Sequence, residues 1–566
     1  MKNTVKILSV LFVLALTASC IKETFPQGGT VTKEQVAEST SALQAMANSI
    51  PSSMMTSGVT GYLNAPYNHH GDFGIPAIHL DSEFLCGDVA TSGQNPYYNR
   101  FYFWCMGRGF DKESWPCSYP WDVYYPLIKS ANDIISAVDP ANAVQTALYY
   151  LGQAYAYRAS FYLDLARFYE PKENKYTDVS KVLKLTVPLV TDKTDEKSAS
   201  NNPRVDRETM YNFILEDLAN AEKYINPADK GYTTPTLGAV YGLYARTYLE
   251  MGYWDDDANK KEYLNKAAEY AQKAITTSGR TPLTQAQWED PTTGFNSGAA
   301  CNAWIWGATL SSENTINIIT FTAHISSEAM FGYAPLSQLS ADKNFYNRIN
   351  DADFRKHSWL DPAYIANPAA EQPYAYKFAG SASAKETFLN GDPSQQISPA
   401  CAYENIKFRP AQGEVNDYAV ANCADHPFMR VEEMYFIKAE AEARGGNLSG
   451  AISTLEGFMA NRYVGATYTC PATDEASFIE ELIFQKRVEF WGEGITIFDL
   501  KRNNMGFTRG YEGTNHASVF AYNCDGRSPY WNFVITRGET QSNLGIPDDL
   551  NNPDPSNTLK LWVAGQ

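Results

Sequence analysis

The sequence predicts a mostly α protein, a tetratricopeptide-like helical repeat scaffold interrupted by one large, irregular, loop-rich insert. Three observations carry that expectation. Runs with apolar residues three and four apart lie on both sides of the middle of the chain. Two of them place small residues where the paired helices of such a repeat approach closely. Between them, residues 280–427 carry Pro, Gly, Asn and aromatics with little helical period.

In chain order, Lys2 and Lys6 form a basic head and residues 8–16 an apolar run too short to span a bilayer as a helix. Leu16-Thr17-Ala18-Ser19-Cys20 then reads as a bacterial lipobox, with residues 1–19 as the signal and Cys20 as the acylated mature terminus. An ordinary secretory signal ending at Ala18-Ser19 is the alternative. Two or three acyl chains, at about 0.8 kcal/mol per buried methylene, anchor a protein stably. Residues 20–32, polar and broken by Pro26, Gly28 and Gly29, read as a flexible leash, and residues 33–566 as a single domain. A first helix is expected from Thr32 or Lys33, followed by about 70 residues of loops.

Helical periodicity begins at residues 121–135 with Trp121, Tyr124, Tyr125, Ile128, Ala131 and Ile135. A second stripe runs Leu148, Leu151, Tyr155, Ala159, Tyr162, Leu165 and Tyr169 and stops before Pro171. Further helices are expected at 207–225, 236–252 and 260–276. In the last two, Tyr241, Tyr244, Ala245 and Tyr248 face Ala267, Ala271 and Ala274 in the tetratricopeptide pattern, with an insertion at Asp255-Asp256-Asp257. Tyr435, Ala439, Gly446, Ala451 and Leu455 repeat the template downstream, and 475–491 adds a helix. The repeats thus occupy about 121–278 and 428–503. In the insert, short strands are expected at Ala303–Ala308 and Ile316–Ala323.

The formal charge of −18 argues against nucleic acid or an anionic lipid surface as partner, so any membrane attachment is through the N-terminal lipid alone. Besides Cys20 there are eight cysteines with wide, irregular spacing, which leaves buried thiols and one or two bridges both open. The chain has no His-Glu-x-x-His, Gly-x-Ser-x-Gly or phosphate-loop motif, so no enzyme and no cofactor is expected. His69-His70 reads as loop and Asp255–Asp257 as a solvated turn, against metal or calcium binding.

Several stretches together resemble the SusD/RagB family of outer-membrane nutrient-binding lipoproteins. They are Trp121-Asp-Val-Tyr-Tyr125 with Ile128 and Asn132, then Ala154 to Tyr169 with Arg158, Asp164 and Arg167, and Val187-Pro188-Leu189. Downstream, Phe428 to Ala441, Arg487-Val-Glu489-Phe490, Glu493-Gly494 and Phe498-Asp499-Leu500-Lys-Arg502 complete the set. The chain departs from the family at Gln485-Lys486, usually an acidic-basic pair, and at Thr496, usually an arginine, which puts the details of a salt-bridge network in doubt. Locally, Glu489 and Glu493 repel unless Arg487 or Arg502 reaches them. The resemblance implies an outer-membrane location facing the cell exterior and capture, without cleavage, of a glycan or, as the alternative, a peptide. The implied partner is a SusC-like TonB-dependent outer-membrane transporter, over which the protein closes as a lid. Glu23, soon after Cys20, is similar to the family's surface-export signal.

A sugar presents an apolar C–H face ringed by hydroxyls, so a binder needs flat aromatic platforms with amide or guanidinium groups at the rim. Residues 97–104 supply Tyr97, Tyr98, Asn99, Arg100, Tyr102 and Trp104. Asn302, Trp304 and Trp306 form a second group. The competing reading is that Tyr102/Trp104 and Trp304/Trp306 alternate as strand residues packing a core. A non-catalytic protein-interaction scaffold remains the rival function for the whole chain.

Overall fold

The computed structural model describes residues 39–55, 69–91, 109–313, 318–368 and 376–565. The longer elements of the N-terminal half are α1 (Thr40–Met55), α2 (Ile75–Phe84), β1 (Val89–Thr91), α3 (Trp115–Ala137), α4 (Gln145–Tyr169), α5 (Arg207–Tyr224), α6 (Leu237–Met251) and α7 (Lys260–Ser278). The insert contributes β2 (Trp304–Ala308), α8 (Phe321–Ile325), β3 (Leu339–Ala341), α9 (Lys343–Arg348) and α10 (Tyr418–Ala421). Then come β4 (His426–Arg430), α11 (Val431–Arg444), α12 (Leu448–Met459), α13 (Glu475–Phe490), α14 (Thr496–Asn503), β5 (Phe507–Thr508) and β6 (Asn523–Cys524).

The periodic segments fold as expected, and the reason can be read locally. Asp206 caps α5 by accepting the Thr209 N–H at 2.7 Å, and Met210, Ile214, Leu218 and Ala221 bury one stripe. In α7 the buried stripe is Leu264, Ala267, Ala271 and Ala274, and Gly279 ends the helix at φ 64°, where a side chain would strain the backbone. Asp474 and Ser477 close a capping box on α13. Small residues set the approach of neighbours: a Cβ on Gly152 in α4 would lie 2.8 Å from the Ile225 nitrogen and 3.0 Å from the Tyr224 carbonyl carbon. Since the clashing atoms are backbone, Gly152→Ala is expected to cost about 1–3 kcal/mol, measured as a lowered melting temperature.

The helices pack as a chain of neighbours, α3 on α4, α4 on α5, α5 on α6 and α6 on α7, and then α7 directly on α11, which pairs with α12. The two sequence repeats, separated by the whole insert, are therefore adjacent in space. Arg246 of α6 joins them by donating to both Glu433 oxygens at 2.8 and 2.6 Å. Arg158 of α4 ties three helices: it donates to both Asp217 oxygens at 2.8 Å and to Asn132 at 2.6 Å.

Among the described residues, three two-stranded antiparallel sheets pin the loops: β1 with β3, β2 with β4, and β5 with β6. One extended core runs through the helices and sheets, and a smaller one (Met330, Leu360, Tyr364, Phe388, Ile406, Val415) lies within the insert.

Several local expectations are corrected. The start at Thr32 or Lys33 lies outside the described residues; within them α1 begins at Thr40, and α1 and α2 occupy what read as loops. Nine of the ten α2 residues are buried, so no polar face remains to reveal a helical period. Residues 318–323 form no strand: Thr320 accepts the Ala323 N–H at 3.1 Å and caps α8. The strand at 303–308 forms as Trp304–Ala308. The seven described cysteines are free thiols. Asp255 and Asp256 are neutralised by protein cations, Asp255 by Lys260 and Asp256 by Lys184 and Arg207. His70 packs edge-on to Tyr333 at 5.5 Å. Among the described residues, no helix is long and apolar enough to cross a membrane.

Candidate ligand face

The insert folds back on itself so that two loops are clipped together and display aromatic rings. Met330 N–H donates to the Val415 carbonyl at 2.9 Å, and the buried Asn422 amide donates to the Phe331 carbonyl at 2.9 Å. Tyr333 N–H reaches the Ala323 carbonyl at 2.7 Å, and a Cβ on Gly332 would sit 2.6 Å from that same oxygen, so only glycine allows the close approach. From the other loop, Asp417 caps α10 through the Ala419 N–H at 3.0 Å and sets the direction of Tyr418. Phe331 and Tyr418 consequently stand at the surface, each 42% exposed, with ring centroids 6.1 Å apart and planes at 73°. Ile318 is a third exposed apolar side chain of the insert. Isolated exposed hydrophobics are ordinary, but two aromatics held together by buried hydrogen bonds are not a random surface.

Next to α10, the turn Ala411–Gly413 borders a polar hollow of about 200 Å³ lined by Asp290, Thr292, Asn296, Arg409, Gln412 and Asp425 among others. Burial pushes the Asp425 carboxyl upward, against the N–H of Gly298, which donates to it at 3.0 Å. Arg409 is not free for a ligand, since it holds the buried Glu328 and the Lys377 carbonyl. Glu328 is also bonded by the Tyr376 hydroxyl, which ties the Phe331 loop to the smaller core.

The structure distributes the predicted site residues unevenly. Tyr97, Tyr98, Asn99, Arg100, Tyr102 and Trp104, like Cys20, lie outside the described residues. The last described residue before them, Thr91, pairs with Leu339, just beyond the loop that carries Phe331. Trp304 and Trp306 are 0% and 2% exposed, so the expectation that they present stacking faces is corrected. Both faces of β2 are covered: Trp304 packs edge-on to Tyr232, and Trp306 lies against Tyr157 and Phe428. Asn302 is exposed but is held by Arg280 at 3.1 Å beside the end of α7. Phe331 and Tyr418 were missed by sequence reasoning. The only signal was an aromatic beside Gly332 and another after Asn416-Asp417, a turn composition with no periodicity to distinguish it.

Two family models match the chain. One, described as "Starch-binding associating with outer membrane", covers residues 86–249, and the other, described as "SusD family", covers residues 337–547. The chain belongs to the SusD/RagB family. Its fold agrees with solved members. A structure from Bacteroides vulgatus described as a SusD-like carbohydrate binding protein superposes with TM-score 0.66 at 19% identity, over 90% of this chain and 98% of that one. A SusD superfamily protein from Bacteroides thetaiotaomicron gives 0.64 at 16% identity, covering 91% and 100%. A third, from Parabacteroides distasonis, gives 0.62 at 17%, covering 91% and 98%. No curated protein sequence matches the chain. The SusD/RagB signature residues explain themselves physically here: Arg158 joins α3, α4 and α5, and Arg430, Glu489 and Glu493 meet in one buried ion cluster. In this SusD/RagB member the signature is therefore a scaffold, and the exposed aromatic pair lies on loops outside it.

Proposed function

We propose that this protein captures a glycan on the face that carries Phe331 and Tyr418 and passes it to a SusC-like TonB-dependent outer-membrane transporter, closing over that transporter as a lid. The acylated Cys20 holds the protein on the outer surface of the outer membrane. The observation that carries the reading is the exposed, hydrogen-bond-locked aromatic pair beside a polar hollow, in a chain of the SusD/RagB family. Rigid amphipathic rings offer contact area at little conformational cost, as a neutral sugar face requires. The aromatic residues of 97–104, which follow β1 in the sequence, belong to the same proposal as further stacking candidates. Capture without cleavage fits the ligand face, because Asp417 is committed to a helix cap, Glu328 is buried under Arg409 and Tyr376, and Asp290 and Asp425 accept backbone N–H groups of Thr292, Thr293 and Gly298.

The test uses the protein with Cys20 replaced by alanine, by affinity electrophoresis through gels of different polysaccharides and by calorimetry with oligosaccharides and a peptide mixture. Joint replacement of Phe331 and Tyr418 by alanine is expected to weaken glycan binding at least tenfold, about 1.4 kcal/mol, with the melting temperature unchanged. Heat from peptides without any glycan retardation moves the function to peptide uptake. Silence in both leaves a protein-interaction scaffold.

A further inference from the structure

Far from the aromatic pair in sequence, α9, α13 and the β5–β6 hairpin enclose two cavities, of about 540 and 380 Å³. They share two wall residues, Arg348 and Phe484, and so adjoin at that stacked pair, with Arg348 as the outer divider. The divider is loosely held. Arg348 is 53% exposed, lies flat on the Phe484 ring with 3.8 Å from guanidinium carbon to ring centre, and reaches Glu481 only at 3.5 Å. Beneath it Phe484 is 4% exposed. A rotation of Arg348 about its own flexible stem would join the cavities and uncover an aromatic face at the floor.

The lining narrows the class of ligand. Its carboxylates outnumber its two arginines, and each is already satisfied: Asp88 by Arg487 at 2.7 Å, Asp342 by the Tyr511 hydroxyl at 2.7 Å, Asp353 by Arg355 at 2.9 Å, Glu481 by Tyr468 at 2.9 Å, and Asp525 by Lys175. With those pairs formed the wall offers an anion no cation free of a carboxylate, and Asp525, paired with Lys175, is the one carboxylate among the described lining residues that stands open to solvent. Besides Arg348 and Asp525, what stands exposed at the rim is neutral and hydrogen-bonding, the amides of Asn344 and Asn350 and the hydroxyls of Thr467, Thr469 and Thr508. Neutral polar rim, one mobile guanidinium and an aromatic floor, in a volume inside the roughly 300–1,000 Å³ of ligand sites, suit a neutral oligosaccharide.

We propose that the groove on either side of Arg348 is a second glycan-binding site, in which Arg348 moves off Phe484 to let a neutral oligosaccharide stack there. This rests on the glycan reading of the protein, and the experiment separates the two. Calorimetry of the Cys20→Ala protein with neutral gluco-, galacto-, manno- and xylo-oligosaccharides of three to six units is compared with Asn344→Trp, which fills the larger cavity, and with Arg348→Ala. Both residues are exposed and outside the core, and thermal melting checks that the variants fold. Binding is expected to survive in part when Phe331 and Tyr418 are both alanine, and to weaken a further tenfold or more when Asn344→Trp or Arg348→Ala is added. If the Phe331/Tyr418 variant loses all binding and Asn344→Trp alone leaves the isotherm unchanged, the second site is overturned and the first stands. If no oligosaccharide binds the parent protein, the glycan reading fails and the second site with it. Peptide heat abolished by Asn344→Trp would overturn the assignment of the groove to sugars.

Discussion

Glu489→Gln is expected to destabilise the protein by about 3–5 kcal/mol, because it discharges one member of a buried ion cluster without changing its shape. Glu489 is fully buried on α13 and receives Arg462 at 2.9 and 3.0 Å, Arg430 at 3.1 Å and Arg355 at 3.2 Å. Arg430 also binds Glu493 through two contacts of 2.9 Å, and Lys407 donates to Glu493 at 2.7 Å. Burial alone would raise the Glu489 carboxyl, but Arg462, Arg430 and Arg355 together hold it far below the usual carboxylate range. Glutamine would leave three buried guanidinium groups sharing fewer anions, and the unbalanced charge costs more than the lost bonds. The cluster joins β4, α11, α13 and the insert, so the cost falls on the seam between them. Denaturant unfolding followed by circular dichroism measures it; an unchanged midpoint would show that the surrounding carboxylates compensate.

Glu83→Gln is expected to act in the opposite direction, by an amount that grows as pH rises above 4.5 and is largest in alkaline buffer. Burial pushes the Glu83 carboxyl up to about 8, Asp88 adds to this, and the Gly494 N–H at 2.8 Å opposes it. Its second oxygen has no hydrogen-bond partner among the described residues. With an unfolded value of 4.5, the folded protein holds one more proton than the unfolded chain between pH 4.5 and about 8. Stability therefore falls as pH rises through that window and levels off above it, by a few kcal/mol at about 1.4 kcal/mol per unit. Glu404, raised by burial to about 7, adds a contribution of the same sign over a narrower window. Two histidines set the acid limit. His79 Nδ1 lies 3.1 Å from His426 Nε2, an arrangement that needs one donor and one acceptor, so the two rings are not both protonated. Burial holds His79 down to about 4, with Asp164, Arg246, Arg167 and Glu493 around it, and holds His426 well below its ordinary value. Their contribution is lost as pH falls from 6.5 towards 4. Melting temperature should thus peak in mildly acidic buffer, and Glu83→Gln should raise it at pH 8–9 while leaving it unchanged near pH 4.5. A flat profile in the parent protein would contradict the buried, protonated Glu83.

The cluster around Glu489 also shows where local sequence reasoning stops. The spacing of Glu489 and Glu493 demands cations, and Arg487 and Arg502 are the near ones in sequence. In the fold Arg487 turns to Asp88 and Arg502 to Glu440, while the compensating cations come from Arg355, Lys407, Arg430 and Arg462. At the departures from the family pattern, Gln485 bonds both Arg355 and Glu481, and Lys486 pairs with Asp499 at 2.8 Å.

By itself the sequence determined the longer striped helices and the repeat pairing, because a stripe at spacing three and four and alanines at the crossing are local facts that survive in any context that buries one face. It also determined the family, through segments that turn out to be scaffold. Only the tertiary structure decided that the two repeats touch, that Trp304 and Trp306 belong to the core, and that Phe331 and Tyr418 reach the surface together. Period two along β2 is the same for a strand covered on one face or on both, and only the packing of Tyr157, Tyr232 and Phe428 closes the second face. Likewise, no local rule connects residue 331 with 418; the Asn422 side chain does, through a hydrogen bond that exists only once the insert has folded.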